Sequence, residues 1–350
     1  MVFTILIVFI SLIGLMILHE FGHFVLAKLF GVKVEEFGIG YPPRLFGKKI
    51  GETLYSLNLL PFGAFIREPK DFAKIKIGQR ILIALGGVLS FWVMAAIIFS
   101  IVFNLGTRVA IEDEVNSNLV EPRIQIAEIA PKSPAEVAGL KVGDTIKELK
   151  IQNAKFKIEK VKEVQELTNL HKDEEIILTI ERGKEVFDVK LIPRVSPPEG
   201  EGPMGVALVK TTIKKYPWPK AIWQGISNTG DLTLTIIQGY FQAIKNIFKG
   251  LPSGVQLMGP VGIFHSIFQA SQLGLSYFLN FLALISIYLA LFNVFPIPAV
   301  DGGRLLFLGI EAIRKKPIDQ KIEQEITTFF FTMMIALAIW VTIKDISRIF

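Results

Sequence analysis

Two histidines and a glutamate close the first apolar run of this chain, in Leu18-His19-Glu20-Phe21-Gly22-His23-Phe24. Residues four apart share one face of a helix, so His19 and His23 can hold one metal ion. Glu20 lies beside that face, where a carboxylate reaches a water on the metal without being a ligand. Zinc lowers the pKa of such a water toward about 7, and a nearby general base then takes its proton. The sequence has no cysteine, so any metal must be held by His, Asp or Glu.

The spacing is the His-Glu-x-x-His logic of zinc metalloproteases. A chance match is the bland alternative, and its location argues against it. A carboxylate in a membrane helix costs about 2.5–3.5 kcal/mol on insertion scales, so one is rarely placed there without a function. A structural zinc site would need four closed protein ligands, for which the supply is thin without cysteine. A third ligand must come from elsewhere. His171 sits in a polar stretch, and His265 stands alone in Gly262-Ile263-Phe264-His265, where packing is the ordinary explanation. Asp301 is the better candidate, because it ends the uncharged run 250–300 within Asn293-Val294-Phe295-Pro296-Ile297-Pro298-Ala299-Val300-Asp301-Gly302-Gly303-Arg304. Pro296 and Pro298 cannot donate hydrogen bonds, which should free the carbonyls of Phe292 and Val294. Irregular backbone at membrane depth borders protein or a wet cavity, so Asp301 is expected to face the histidines. Two histidines and one aspartate leave the fourth zinc position open, which is a catalytic geometry.

The elements that must position these groups are mostly membrane spans. Of the 350 residues 51% are hydrophobic and 20% charged, and residues 1–18, 81–107 and 326–343 carry no Asp, Glu, Lys or Arg. Apolar stretches of this length exclude a cytosolic globular enzyme and a disordered chain. Spans are expected over 2–30, 81–105, 277–300 and 326–343, the third interrupted by Pro296 and Pro298. The first has no leading basic region or small-residue cleavage site and reads as a retained span. Between the first two, short strands over 32–39 and 53–60 are expected to join through Gly47-Lys48-Lys49. Residues 108–215 are Lys- and Glu-rich and form a water-soluble domain, with strands over 123–129 and 145–151, a helix over 161–170 and a hairpin over 176–192. Residues 216–276 include an amphipathic pattern that reads as interfacial. Lys and Arg cluster in 28–80 and 304–321, which puts those loops in the cytoplasm and the soluble domain and both termini outside. The net charge of +6 follows from that bias, and nucleic acid is not an expected partner.

With these residues in view, the chain resembles the site-two proteases, intramembrane zinc metalloproteases, over nearly its whole length. His19-Glu20-Phe21-Gly22-His23 matches that family's zinc-and-base motif, and Asn293-Val294-Phe295-Pro296 with Pro298 and Asp301-Gly302-Gly303 matches its second. Met258-Gly259-Pro260-Val261-Gly262-Ile263 looks like a family segment preceding the third span. Ser133-Pro134-Ala135 and Ala138-Gly139-Leu140-Lys141-Val142-Gly143-Asp144-Thr145-Ile146 look like part of a PDZ domain. There are two departures. After Gly86-Gly87, Val88 and Phe91 stand where the family has Pro and Asn, a change expected to alter packing of the span without involving the metal ligands. Lys150–Phe156 replaces a compact turn of the PDZ pattern.

The resemblance implies an α-helical multi-pass membrane protein of about four transmembrane helices, with a membrane-associated β-hairpin region and an inserted α/β PDZ domain. Its parts would be a first membrane part over 1–107, an extracytoplasmic PDZ domain over 108–215, an amphipathic interfacial segment over 216–276 and a second membrane part over 277–350. It implies zinc on His19, His23 and Asp301, Glu20 as catalytic base, and substrate contacts at Asn293, Gly38 and Gly40. In the family the hairpin, matched here by 36–40 and 53–60, pairs with an unwound substrate. The implied substrates are single-pass membrane proteins already trimmed by another protease, such as anti-sigma factors or signal-peptide remnants, in the inner (cytoplasmic) membrane. The PDZ domain would act as a size filter or hold a trimmed end. A metal transporter and a non-catalytic PDZ scaffold are the competing classes. A transporter should spread ionisable residues over several spans, and a scaffold has no use for Glu20.

Overall fold

A computed structural model describes residues 2–69, 71–113, 119–152, 154–183, 185–198, 200–251, 253 and 258–349. Lys70, Asn153, Lys184 and Glu199, on which parts of the loop and turn readings fell, lie outside the described residues. The chain forms two compact units: Met1–Ile101 with Ile222–Ser271 and Phe278–Phe350, and Val102–Ala221 with Gln272–Tyr277.

Its elements in chain order are α1 (Val2–Leu29), β1 (Glu36–Ile50), β2 (Thr53–Arg67), a 3-10 turn at Phe72–Lys74 and α2 (Ile77–Leu105). Then come β3 (Thr107–Ile111), β4 (Arg123–Ile129), α3 (Pro134–Val137), β5 (Thr145–Ile151), β6 (Ala154–Lys157), α4 (Val161–Leu170), β7 (Ile176–Arg182), β8 (Glu185–Leu191) and β9 (Val206–Lys214). The last are α5 (Trp218–Phe248), α6 (Pro260–Leu273), α7 (Leu275–Val294), α8 (Asp301–Arg314) and α9 (Gln320–Ile349).

Among the described residues, four helices are long and apolar enough to cross a membrane: Thr4–Leu29, Ile77–Leu105, Leu275–Val294 and Gln320–Arg348. Nearly half of the second and third is buried, whereas the first is mostly half-buried and the fourth mostly exposed. The third is interrupted before Pro296 and Pro298, as expected, and does not resume to reach 300. It stops at Val294, because the residue before a proline is disfavoured in the helical region. Nor is the Phe292 carbonyl left free, since it accepts from the Phe295 N–H at 3.2 Å.

The strand pair β1–β2 turns at Gly51, not at Gly47-Lys48-Lys49, because Gly51 takes a left-handed φ of 60° that a lysine adopts only at a cost. The pair curls. Glu36–Ile39 have partners on both sides, Leu54–Leu57 and Ala64–Arg67, while Gly47–Ile50 pair with Thr53–Ser56. Aromatic contacts seat it on α1, with Phe24 at 5.4 Å from Phe37 and 6.0 Å from Tyr55 between ring centroids. Beneath lie buried Ala27, Val32, Val34, Phe72 and Ile83. Phe72 is gripped by two guanidinium groups, Arg304 at 4.7 Å and Arg80 at 5.7 Å from its ring. Arg80 pairs with Glu311 at 2.8 Å and Arg304 pairs with Glu68. This ladder ties α8 to α2 and to the chain leaving β2.

Within 216–276, helix α5 has particular protein neighbours. Gly225 of α5 lies against the Ala96 carbonyl and Ser100 of α2, and Tyr240 meets Phe295 at 5.9 Å. Fifteen residues of helix separate those two contacts, about 22 Å at 1.5 Å per residue. The helix therefore runs alongside α2 toward the far end of α7. Among the described side chains of α9, Val341 and Asp345 alone are buried. The Asp345 carboxylate accepts from the N–H groups of Gly259 at 2.9 Å and Gly262 at 2.7 Å, so the Met258–Ile263 segment is a seat for the end of α9.

The second unit is a sheet in the order β3-β9-β4-β5-β7-β8, with β6 paired to β5. Strands β4 and β5 and helix α4 fall on the expected residues, while β3, β6 and β9 were not foreseen. The longer segment after β5 is β6 folded back in register, Ile151 opposite Ala154. Inward-facing residues of β4, β5 and β7 (Ile124, Ile126, Ile146, Leu149, Ile176, Leu178, Ile180) fill the core with Val164 of α4. Buried Asp144 holds Arg182 through two bonds of 2.7 Å and caps the Lys141 N–H at 2.8 Å. A cavity of about 520 Å³ is lined by Val164 and Thr168 of α4 and by Met204, Gly205, Val206 and Leu208.

Candidate metal centre

His19 and His23 lie on one face of α1, as their spacing requires, and Asp301 opens α8 opposite them. The His19 Nε2 and His23 Nε2 atoms are 3.4 Å apart, and each is 3.3 Å from Asp301 Oδ2. Two ligands on a tetrahedral zinc at about 2.0–2.1 Å lie about 3.3–3.4 Å apart, so the three atoms already form one face of such a tetrahedron. Asp301 Oδ2 is buried with no hydrogen-bond partner, as a carboxylate oxygen reserved for a cation would be. The Nδ1 of His23 lies 2.8 Å from the Ile83 carbonyl. A donated N–H there leaves the Nε2 lone pair facing the metal position, the orientation that ligating histidines take. The donor set fits zinc, and among the described residues this is the one such group of His, Asp and Glu.

Glu20 is not part of that triangle. Its carboxylate is met by the backbone of Ile66 in β2. It lines a cavity of about 510 Å³ with His23, Asp301, Tyr41, Arg67 and Arg304 among others. Partial burial and the Glu20 carboxylate hold the Tyr41 phenol above its ordinary pKa, so it stays a protonated donor.

Glycines set this geometry, and the two-motif reading passed over most of them. A Cβ on Gly22 would sit 2.2 Å from the Gly86 carbonyl oxygen, so α1 and α2 touch backbone to backbone inside the His-Glu-x-x-His turn. One on Gly87 would sit 2.3 Å from His23 Nε2 and 2.4 Å from His19 Cε1. The pair Gly302 and Gly303 lets the preceding chain fold over the first turn of α8, where added Cβ atoms would meet the Phe295 and Ile297 carbonyl oxygens at 2.0 and 2.3 Å. A small residue on each of two facing helices is the signal that could have found Gly22 and Gly86.

One expectation changes, and the local surroundings of the expected substrate contacts are defined. Phe91 does involve a metal ligand: its ring stacks on His19 at 4.7 Å and 22°, so this departure from the family pattern sets an imidazole plane. Asn293 turns its amide back onto the Leu289 carbonyl at 2.9 Å and is not among the residues lining the catalytic cavity. Gly38 and Gly40 are hemmed in by β2, where Cβ atoms would meet the Phe65 ring at 2.4 Å and the Leu60 carbonyl oxygen at 2.5 Å, a packing reason for both. His171 bonds Glu174 in the second unit, and His265 lies beside Gln269.

Four spans and an open three-ligand centre at the end of the first define a multi-pass membrane zinc protease. A model described as peptidase family M50 matches residues 7–337. A Clostridium perfringens protein, named as a candidate zinc metalloprotease, is 35% identical, with 95% of each chain covered. The zinc metalloprotease RasP of Oceanobacillus iheyensis is 26% identical over 99% of this chain and 100% of its own, and RasP of Geobacillus kaustophilus 27% over 96% of each. The chain belongs to peptidase family M50, the site-two proteases. That membership displaces the transporter and scaffold readings.

Proposed function

We propose that this protein hydrolyses peptide bonds inside the membrane-spanning segments of single-pass proteins already trimmed by another protease, such as anti-sigma factors or signal-peptide remnants. The observation that carries the reading is the equilateral triangle of His19, His23 and Asp301 atoms sharing a cavity with Glu20 at a membrane helix. When bound, zinc supplies Lewis-acid activation of the attacking water and of the scissile carbonyl. Glu20 takes the proton from the water as its oxygen bonds to the carbonyl carbon, then delivers that proton to the leaving nitrogen as the C–N bond breaks. His23, braced by the Ile83 carbonyl, and His19, stacked on Phe91, hold their ring planes fixed through both steps.

A helical substrate must first be unwound, because its peptide groups are bonded internally. Strand addition to the hairpin serves this purpose. Glu36–Ile39 already have two neighbours, so the edge we assign to the substrate is Ala64–Arg67 of β2, which also lines the catalytic cavity. The second unit reads as a PDZ domain facing the extracytoplasmic side of the inner membrane, where it acts as a size filter. Its groove between α4 and β9 suits a trimmed peptide end.

The test is cleavage of a membrane-spanning peptide in detergent by wild type and Glu20→Gln, with zinc content measured in both. Wild type should cut at an internal bond, and Glu20→Gln should keep its zinc and lose cleavage. Full activity in Glu20→Gln overturns the scheme.

A further inference from the structure

The hydrolysis above puts negative charge on the scissile carbonyl oxygen, and a preorganised donor beside it is ordinarily worth a large part of the rate. The amide of Asn293, an expected substrate contact, donates to its own helix. Three other side-chain donors line the catalytic cavity: Tyr41, Arg67 and Arg304. Both guanidinium groups are engaged, Arg67 with Glu36 at 3.0 Å and Arg304 with Glu68 and the Phe72 ring. Tyr41 differs. Its ring is held by a near-parallel stack on Phe65, 6.1 Å between centroids and 19° between planes. Beside it Gly63 leaves room, since even a Cβ there would stand 3.7 Å from the Tyr41 hydroxyl. The hydroxyl makes no hydrogen bond among the described residues and shares the cavity with Glu20 and Asp301.

We infer that the Tyr41 hydroxyl is a catalytic donor that hydrogen-bonds the scissile carbonyl oxygen as charge builds on it. The role rests on the peptidase reading above and adds a residue to it. Residues on one wall then divide the work: Glu20 moves the proton, and Tyr41, carried by β1 and steadied by Phe65 of β2, meets the oxygen. The phenol keeps its own proton throughout, so no further acid or base is needed.

Tyr41→Phe removes the hydroxyl and keeps the ring on Phe65. Its kcat for the membrane peptide should fall about 100- to 1000-fold, the usual effect of losing one such donor. KM should stay within about twofold of wild type, because the bond forms only in the transition state. Zinc content should not change, and inhibition by a peptide phosphonamidate, which presents a charged tetrahedral oxygen, should weaken by a similar factor. A Tyr41→Phe protein with wild-type kcat and phosphonamidate affinity overturns the inference, as does a change confined to KM. A wild-type protein that cuts no peptide instead overturns the peptidase reading on which this one stands.

Discussion

Adding one methyl group at Gly87 should dismantle the metal centre from the second helix. In Gly87→Ala the new carbon would lie 2.3 Å from His23 Nε2, 2.4 Å from His19 Cε1 and 2.7 Å from His19 Nδ1. Carbon and ring atoms settle at about 3.5 Å, so α2 or both rings must retreat by about 1 Å. A plausible zinc site holds its ligand distances within about 0.2 Å, so the triangle cannot survive that retreat. Relieving it by moving α2 away would open the close backbone contact at Gly22 and Gly86, so the strain is not relieved without loss. Overpacking of this kind costs about 1–3 kcal/mol, and borne by the metal centre that is about a 5- to 150-fold loss of zinc affinity. The assay is competition for zinc against a fluorescent chelator, read beside peptide cleavage. Gly78→Ala is the control, since a Cβ there meets nothing within 4 Å. Wild-type zinc affinity in Gly87→Ala would refute the reasoning.

Asp345→Ala should lower stability by about 3 kcal/mol, because it leaves the Gly259 and Gly262 N–H groups buried without an acceptor. A thermal melt in detergent reads this, and an unchanged Tm would show that α9 is held by something else. Phe72→Ala should cost about 3–5 kcal/mol and release both guanidinium groups, with a lower Tm and a zinc site that exchanges faster. Unaltered melting and exchange would mean that the ladder at α8 does not depend on its ring.

The metal ligands were legible because an ionisable residue at membrane depth carries its own signal, and three of them converge. Strands β4 and β5 and helix α4 were legible for a similar reason: apolar alternation in a strand and apolar spacing of three to four in a helix are local patterns. Strands β3 and β9 were not, because each pairs with a partner far along the chain, Ile111 with Lys210 for example. The turn at Gly51 competed with an equally plausible glycine at Gly47, and only the backbone angle decides between them. Phe91 looked like a packing detail because nothing in a sequence says that a ring on the second span will lie flat on His19. The amphipathic pattern of α5 was legible and its protein neighbours were not, for a physical reason. A polar stripe suits the membrane surface, and it suits equally a helix running beside other helices.

Helix α9 specifies itself in two different languages. Along 326–340 no side chain is buried, so fluid hydrocarbon is the only neighbour most of these residues meet, and it does not distinguish leucine from phenylalanine or methionine. That stretch is defined by composition: a scrambled order of the same apolar residues should insert and hold equally well. At Val341 and Asp345 the neighbour is protein, down to two particular N–H groups, and identity returns. Tolerance to substitution along this helix should therefore change abruptly near its last two turns.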